Sequence, residues 1–237
     1  MNNALPPVIA IDGPSGSGKG TVASRVALTL GWNLLDSGAL YRILAQVSRQ
    51  RGKSGDDPAQ LEALARGLRV DFKQTAAGDE QILLEGRDVT AALRSEDSGK
   101  RASELAVIPE VRRGLMAVQR NFRRAPGLVA DGRDMGTVVF PDAGLKIFLT
   151  ASVEERAKRR YNQLKQKGLN ANLPALFQDL VARDERDRNR SVSPLKPASD
   201  AVVLNTTGTA VEAVVDQVLD LAHRRYGKAA AGSRQGG

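Results

Sequence analysis

The run Gly13-Pro14-Ser15-Gly16-Ser17-Gly18-Lys19-Gly20-Thr21 restricts the possible folds more than any other part of the chain. It follows a short apolar stretch, Val8–Ile11, and precedes helical sequence that continues to Leu30. Strand, glycine-rich loop and helix in that order form the context in which backbone N–H groups turn inward around an anion. The helix N-terminus adds partial positive charge, and Lys19 can reach the β- and γ-phosphates of a bound nucleotide. The loop therefore predicts an α/β fold with a phosphate site on its first βα turn, with Gly13 to Thr21 as its ligands. The strict motif has Ser or Thr directly after the lysine, where the hydroxyl meets Mg²⁺. Here Gly20 stands in that place and Thr21 follows. The expectation is Mg²⁺ held largely through water, near Ser17, Thr21 and Asp131.

Four further apolar runs, Asn33–Leu35, Leu128–Ala130, Leu145–Leu149 and Ala201–Leu204, lack the alternation of a half-exposed strand. Strands of a parallel sheet are covered on both faces and read this way. Helical patterns separate them, so a doubly wound, five-stranded parallel sheet with helices on both faces is expected. Asp57-Pro58 and Pro109 mark helix starts, with Leu61, Leu64, Ala65 and Leu68 on one apolar stripe and Val111, Leu115, Val118 and Phe122 on another. Ser152 with Glu155 and Thr209 with Glu212 have capping-box spacing, and Ser37 can cap the helix after the second strand. Leu68, Val70 and Phe72 alternate with charged residues, and Ile82–Leu84 and Val89 can pair with them around turns at Ala77-Gly78 and Gly86. A small antiparallel insertion over about 68–92 follows.

Charge is the next constraint. Lys and Arg number 35 against 27 Asp and Glu, a net +8. Either nucleic acid or a highly charged phosphate ester fits that balance, and the placement of the arginines decides. Arg42 lies in the second turn after Leu34-Leu35-Asp36-Ser37-Gly38. Asp131-Gly132-Arg133-Asp134 follows the third strand, with Asp131 in the place of an acid that orients metal-bound water. Both lie at carboxyl ends of strands, where open α/β sheets bind ligands. In Arg183-Asp184-Glu185-Arg186-Asp187-Arg188-Asn189-Arg190, helical spacing puts Arg183, Asp187 and Arg190 on one face and Asp184 and Arg188 on another. Arginines suit bidentate phosphate contacts. Ser152 to Gly168 carries Arg156, Lys158, Arg159, Arg160, Lys165 and Lys167, a basic flap able to cover nucleotide phosphates.

Other classes are narrowed by what the sequence lacks. There are no cysteines, so a disulfide framework and a thiolate metal site have no parts, and with one histidine, His223, near the end, a Ser-His-Asp triad or a multi-His zinc site would have to do without its usual parts. No apolar run is long enough for a membrane span, and the first residues lack the pattern of a signal peptide. A cytoplasmic monomer without a membrane or stable nucleic-acid partner is expected. A nucleotide-responsive nucleic-acid-binding protein is the reading from a different class. The interleaving of arginines with acids at strand ends and the 4% aromatic content, which leaves few stacking platforms, argue against it. A silent scaffold would not need Lys19 and the arginine set, and another small-molecule kinase is the rival within enzymes.

Taken together, these segments resemble bacterial cytidylate kinases. The resemblance rests on Ile11-Asp12-Gly13-Pro14-Ser15-Gly16 with Gly18-Lys19-Gly20-Thr21, on Leu34 to Ala39 with Tyr41-Arg42, on Ala130 to Asp142, and on Arg186 to Arg190. It runs from about residue 8 to 226, and the central Asp-Gly-Arg-Asp-Met-Gly-Thr segment is its most specific part. The resemblance implies ATP-dependent, Mg²⁺-assisted phosphorylation of CMP and dCMP. It implies one P-loop kinase domain over 1–226, with a core of 1–36, 125–151 and 191–226. A nucleotide-binding lobe at about 37–124, a helical lid at about 152–190 and a disordered tail at 227–237 complete it. Carried over by motif, Ser37, Arg42, Arg133 and Arg190 hold the acceptor phosphate. Ser103, Arg112 and Asp134 hold cytosine, and Arg183 and Asp187 hold ribose. Lys19, Arg133 and Arg190 are the expected catalytic groups, and Arg156, Arg159 and Arg160 join the loop on ATP. The guanidinium groups of Arg133 and Arg190 should then point into the hollow beside Lys19.

Overall fold

The computed structural model describes residues 5–50, 57–74, 80–94, 96–166 and 168–227. Five parallel strands, β1 (Val8–Asp12), β2 (Asn33–Asp36), β6 (Leu128–Gly132), β7 (Leu145–Thr150) and β8 (Val202–Asn205), line up in the order β2-β6-β1-β7-β8. β1 runs apolar without alternation because both its faces are covered. Val8 and Ala10 enter one core cluster, with Leu35, Leu40, Leu44 and Leu115. Ile9 and Ile11 enter the other, with Val22, Val26, Leu30, Val214 and Val218. The first cluster seats α2 (Ser37–Gln50), α3 (Pro58–Arg66) and α5 (Pro109–Arg120), and the second seats α1 (Lys19–Leu30) and α8 (Val211–Tyr226). β8 is the exception to burial. It is one of the two sheet edges, and Val203 is 55% exposed.

Between β2 and β6 lies the expected insertion. β3 (Val70–Gln74), β4 (Glu80–Leu84) and β5 (Arg87–Asp88) form a separate antiparallel sheet with Phe72 opposite Ile82. Leu68 falls outside it, because its N–H still donates to Ala65 O in the turn that closes α3. α4 (Glu96–Leu105) follows and packs beside α2. After β7 come α6 (Val153–Gln166) and α7 (Leu173–Arg188), packed against each other. The turn expected at Ala77-Gly78, Lys167 and the tail beyond Gly227 lie outside the described residues.

The caps confirm some expectations and correct others. Asp57 Oδ1 accepts from Ala59 N and Gln60 N at the start of α3, and Ser152 Oγ accepts from Glu155 N at 3.2 Å. Thr209 does not cap α8. The helix starts a residue later with Ala210 at its cap, and Thr209 Oγ1 donates to Thr207 O. Ser37 does not cap α2 either. Asp36 Oδ1 takes the N–H of Ala39, which leaves Ser37 as the first helical residue with its hydroxyl free for another partner. Among the described residues, no helix is long and apolar enough to cross a membrane.

Candidate active site

Parallel pairing sets the ends of three strands side by side. Asp36 is in register with Asp131, and Asp12 with Gly132, so three acids meet at the carboxyl edge of the sheet. Asp12 turns inward and takes the N–H groups of Met135 and Gly136, each at 2.8 Å. It thereby fixes the π-helical turn Met135–Val139 that follows Asp131-Gly132-Arg133-Asp134. Burial pushes Asp12 up to about 6, against the pull of those two N–H groups.

The glycine loop wraps from β1 to α1. Gly18 caps α1 in the left-handed region at φ 90°, a conformation side chains disfavour. Lys19 is buried, with Nζ donating to Pro14 O at 3.2 Å, and faces a cavity of about 1000 Å³. Burial, with Arg133 nearby, pushes Lys19 down to about 7, although Asp131 pulls the other way. Burial likewise pushes the Asp131 carboxyl well above the usual range, and Lys19 offsets part of that rise. The departure at Gly20 now has a physical reason. A Cβ built there would stand 3.1 Å from Asp131 Oδ2, so the missing side chain makes room for that carboxylate.

The same cavity collects side chains from distant parts of the sequence. Ser37, Tyr41 and Arg42 line it from α2, Ser103 from α4 and Arg112 from α5. Arg133 and Asp134 line it after β6, and Arg183, Asp187 and Arg190 from α7 and the residues just beyond it. Arg133 Nε donates to Asp187 Oδ2 at 2.9 Å, and Arg190 pairs with Asp187 Oδ1. Burial would raise the Asp187 carboxyl, but Arg133, Arg190 and Arg183 outweigh it and hold it low. Burial, reinforced by Arg133, pushes Arg183 down to about 9. Cationic groups are therefore held here against their tendency to seek water, with fewer acids than bases facing them. That arrangement suits polyanions.

At another wall of the cavity Arg112 forms a buried ion pair with Asp134 and also reaches Ala106 O at 3.3 Å. Tyr41 Oη lies 3.4 Å from Arg112 Nη1, and burial pushes its phenol up to about 12. Ser103 is buried, lines the cavity and has no hydrogen-bond partner for its hydroxyl.

Four expected ligands sit differently. Ser17 is fully buried, with a hydroxyl that has no partner and does not line the cavity. Its place beneath the loop removes it from any metal held on the cavity side. Gly13 and Pro14 likewise stand outside the lining. Arg156 does too. Its guanidinium is consumed by protein partners, donating to Ala151 O at 3.1 Å, Ser15 O at 3.0 Å and both oxygens of buried Asp184. Arg159 lines the cavity while tied to Glu155, Ser17 O and Thr206, and Arg160 lines it as well.

Several contributors were not singled out from the sequence. Asp12 and Asp36 end their strands, and an acid at a strand's carboxyl end was a readable signal. Thr206 Oγ1, which donates to Ser17 O at 3.1 Å, follows β8 in the same way. Gln119 offered none, being one polar residue on an amphipathic helix. Its Oε1 accepts from Ser37 Oγ at 2.8 Å with both side chains buried.

A parallel sheet ordered around a central β1, a phosphate loop on its first turn and a cavity walled by arginines from five other segments define a P-loop kinase of the nucleotide type. The cytidylate kinase family model matches residues 9–224. The chain is 58% identical over 214 residues to a cytidylate kinase of Pseudomonas savastanoi pv. phaseolicola, covering 90% of this chain and 93% of that protein. Against that of a Marinomonas strain it is 56% identical over 212 residues, with the same coverage. With that of Pseudomonas aeruginosa it shares 55% over 220 residues, or 92% and 96% of the two chains. The chain belongs to the cytidylate kinase family.

Proposed function

We propose that this protein transfers the γ-phosphoryl group of ATP to CMP and dCMP in the cytoplasm, as a monomer, giving CDP or dCDP and ADP. The observation that carries this reading is the single cavity shared by Lys19 and the loop on one side and by Arg42, Arg133, Arg183 and Arg190 on the other. Family membership supports the choice of nucleotide.

The acceptor is itself a phosphate with a second pKa near 6, so at neutral pH it arrives largely as a dianion. No general base is needed, which fits a site without histidine. The acceptor oxygen attacks the γ-phosphorus in line while the bond to the β-phosphate oxygen breaks and ADP departs. The barrier is repulsion between two polyanions. Lys19 and the loop N–H groups hold the donor, and Ser37, Arg42, Arg133 and Arg190 hold the acceptor phosphate and neutralise developing charge. Arg183 and Asp187 take the ribose. The buried Arg112–Asp134 pair and the orphaned Ser103 hydroxyl offer donors and acceptors for cytosine: Arg112 to N3 and O2, Asp134 or Ser103 to the exocyclic amine. Uracil reverses two of those atoms and would leave buried groups unpaired, so CMP is preferred over UMP.

Mg²⁺ fits the site as an ion shared with phosphates and water. Asp131 projects where Gly20 leaves space, Thr21 lines the same cavity, and no cluster of three or more metal-ligating side chains occurs among the described residues. Asp131 and Thr21 would hold it through water, and its charge would lower the repulsion between donor and acceptor. Segment 37–124 would serve as the acceptor lobe and 152–190 as the lid over a core of 1–36, 125–151 and 191–226.

A coupled assay of ADP release with CMP, dCMP, UMP, AMP and GMP tests the reading. CMP and dCMP should give the highest kcat/KM, with UMP at least tenfold lower. Comparable values for UMP would defeat the cytosine assignment. Near-normal turnover in Lys19→Ala or Arg190→Ala would remove that residue from the mechanism.

A further inference from the structure

We infer that Gln119 is a positioning residue for the acceptor phosphate, acting through the hydroxyl of Ser37. The inference rests on the reading above, in which Ser37 touches that phosphate. Asp36 takes the capping role on α2, so Ser37 faces the cavity with its hydroxyl committed only to Gln119 Oε1 at 2.8 Å. Both side chains are at least nine-tenths buried, Ser37 at 4% exposure and Gln119 at 2%, so water does not compete for the bond. Gln119 is itself held. It lies near the end of α5, where the next residue, Arg120, donates from Nε to Val139 O at 3.1 Å. That bond pins the helix to the turn that follows Arg133 and Asp134.

A serine hydroxyl has one proton and can accept further bonds, whereas a glutamine amide presents an acceptor on one side and donors on the other. With Oε1 facing Ser37, the proton points away from the cavity. With the amide turned over, Nε2–H donates to Ser37 Oγ and the proton is free to donate to a phosphate oxygen. Gln119 thus keeps Ser37 in one place in both states, with the proton aimed at the amide in the free enzyme and at the phosphate in the complex.

Initial rates and acceptor binding for Ser37→Ala, Gln119→Met, Gln119→Glu and the double variant Ser37→Ala/Gln119→Met test this, with melting temperatures as a fold control. Gln119→Met should raise KM for CMP about three- to tenfold with KM for ATP unchanged, the size of one neutral hydrogen bond. The double variant should match Ser37→Ala alone, because the two residues act through one contact. Gln119→Glu should raise KM for CMP beyond Gln119→Met, since a carboxylate accepts the Ser37 proton but cannot turn over to donate. A wild-type KM for CMP in Gln119→Met or Gln119→Glu would overturn the inference while leaving the assignment of Ser37 intact, and so would full additivity in the double variant. A silent Ser37→Ala would overturn both.

Discussion

Lys19 shows the conflict between stability and function at the scale of one residue. Its ammonium is buried beside Arg133, and its proton is held less firmly than in water, near 7 rather than 10.5. The unfolded chain therefore binds more protons at this position between about pH 7 and 10.5, so this group makes stability rise with pH across that window. Lys19→Met relieves that penalty. The unliganded variant should melt about 2–5 °C higher than wild type at pH 7 by calorimetry, while ATP no longer stabilises it and turnover falls by orders of magnitude. A lower melting temperature would mean the lysine is satisfied in the free protein. Gly20 presents the complementary case, in which the functional feature is an absence. Gly20→Ser places a Cβ 3.1 Å from Asp131 Oδ2, and the carboxylate must give way. Activity should drop at least tenfold, the Mg²⁺ concentration for half-maximal rate should rise, and the melting temperature should move only slightly.

At the scale of elements, Arg156 joins three pieces that the sequence keeps far apart. It belongs to α6, it bonds Ser15 of the glycine loop, and it forms a buried pair with Asp184 of α7. Because α7 also carries Arg183 and Asp187, the pair ties the glycine loop to a helix that lines the same cavity. Removing one partner strands a buried charge. Arg156→Met should cost about 3–5 kcal/mol in urea denaturation, and Arg156→Met/Asp184→Leu should cost less than the single change. The reverse order would show that the pair is not the strut. The start of α6 could be read from its cap, and the last turns of α7 from the spacing of their charges. The pairing between them could not, because which face of each helix meets the other depends on packing.

The whole molecule brings two anions together in a cavity that its net charge of +8 favours. Binding of ATP and CMP should weaken as salt rises, since screening acts on the whole field. ATP hydrolysis without acceptor should stay below about 1% of the transfer rate, the expected result when lobe closure excludes water. Substantial hydrolysis would contradict a lid that closes only on both substrates.

The architecture was legible because short-range rules govern it. Apolar runs of strand length, a glycine loop before a helix and proline at first helical turns each carry their meaning within about ten residues. They determined the five parallel strands and the antiparallel insertion, and the loop itself marked one wall of the cavity. The arginines could be named but not assigned by spacing alone. Arg133, Arg159 and Arg190 reached the cavity while Arg156 turned to two carbonyls and a carboxylate, though Arg156 and Arg159 lie on one basic helix. The bond from Gln119 to Ser37 and the space that Gly20 leaves for Asp131 were equally unreadable. Each depends on which atoms two separate segments bring within a few ångströms of each other, and no local pattern encodes such a distance. Only the packed tertiary structure could fix it.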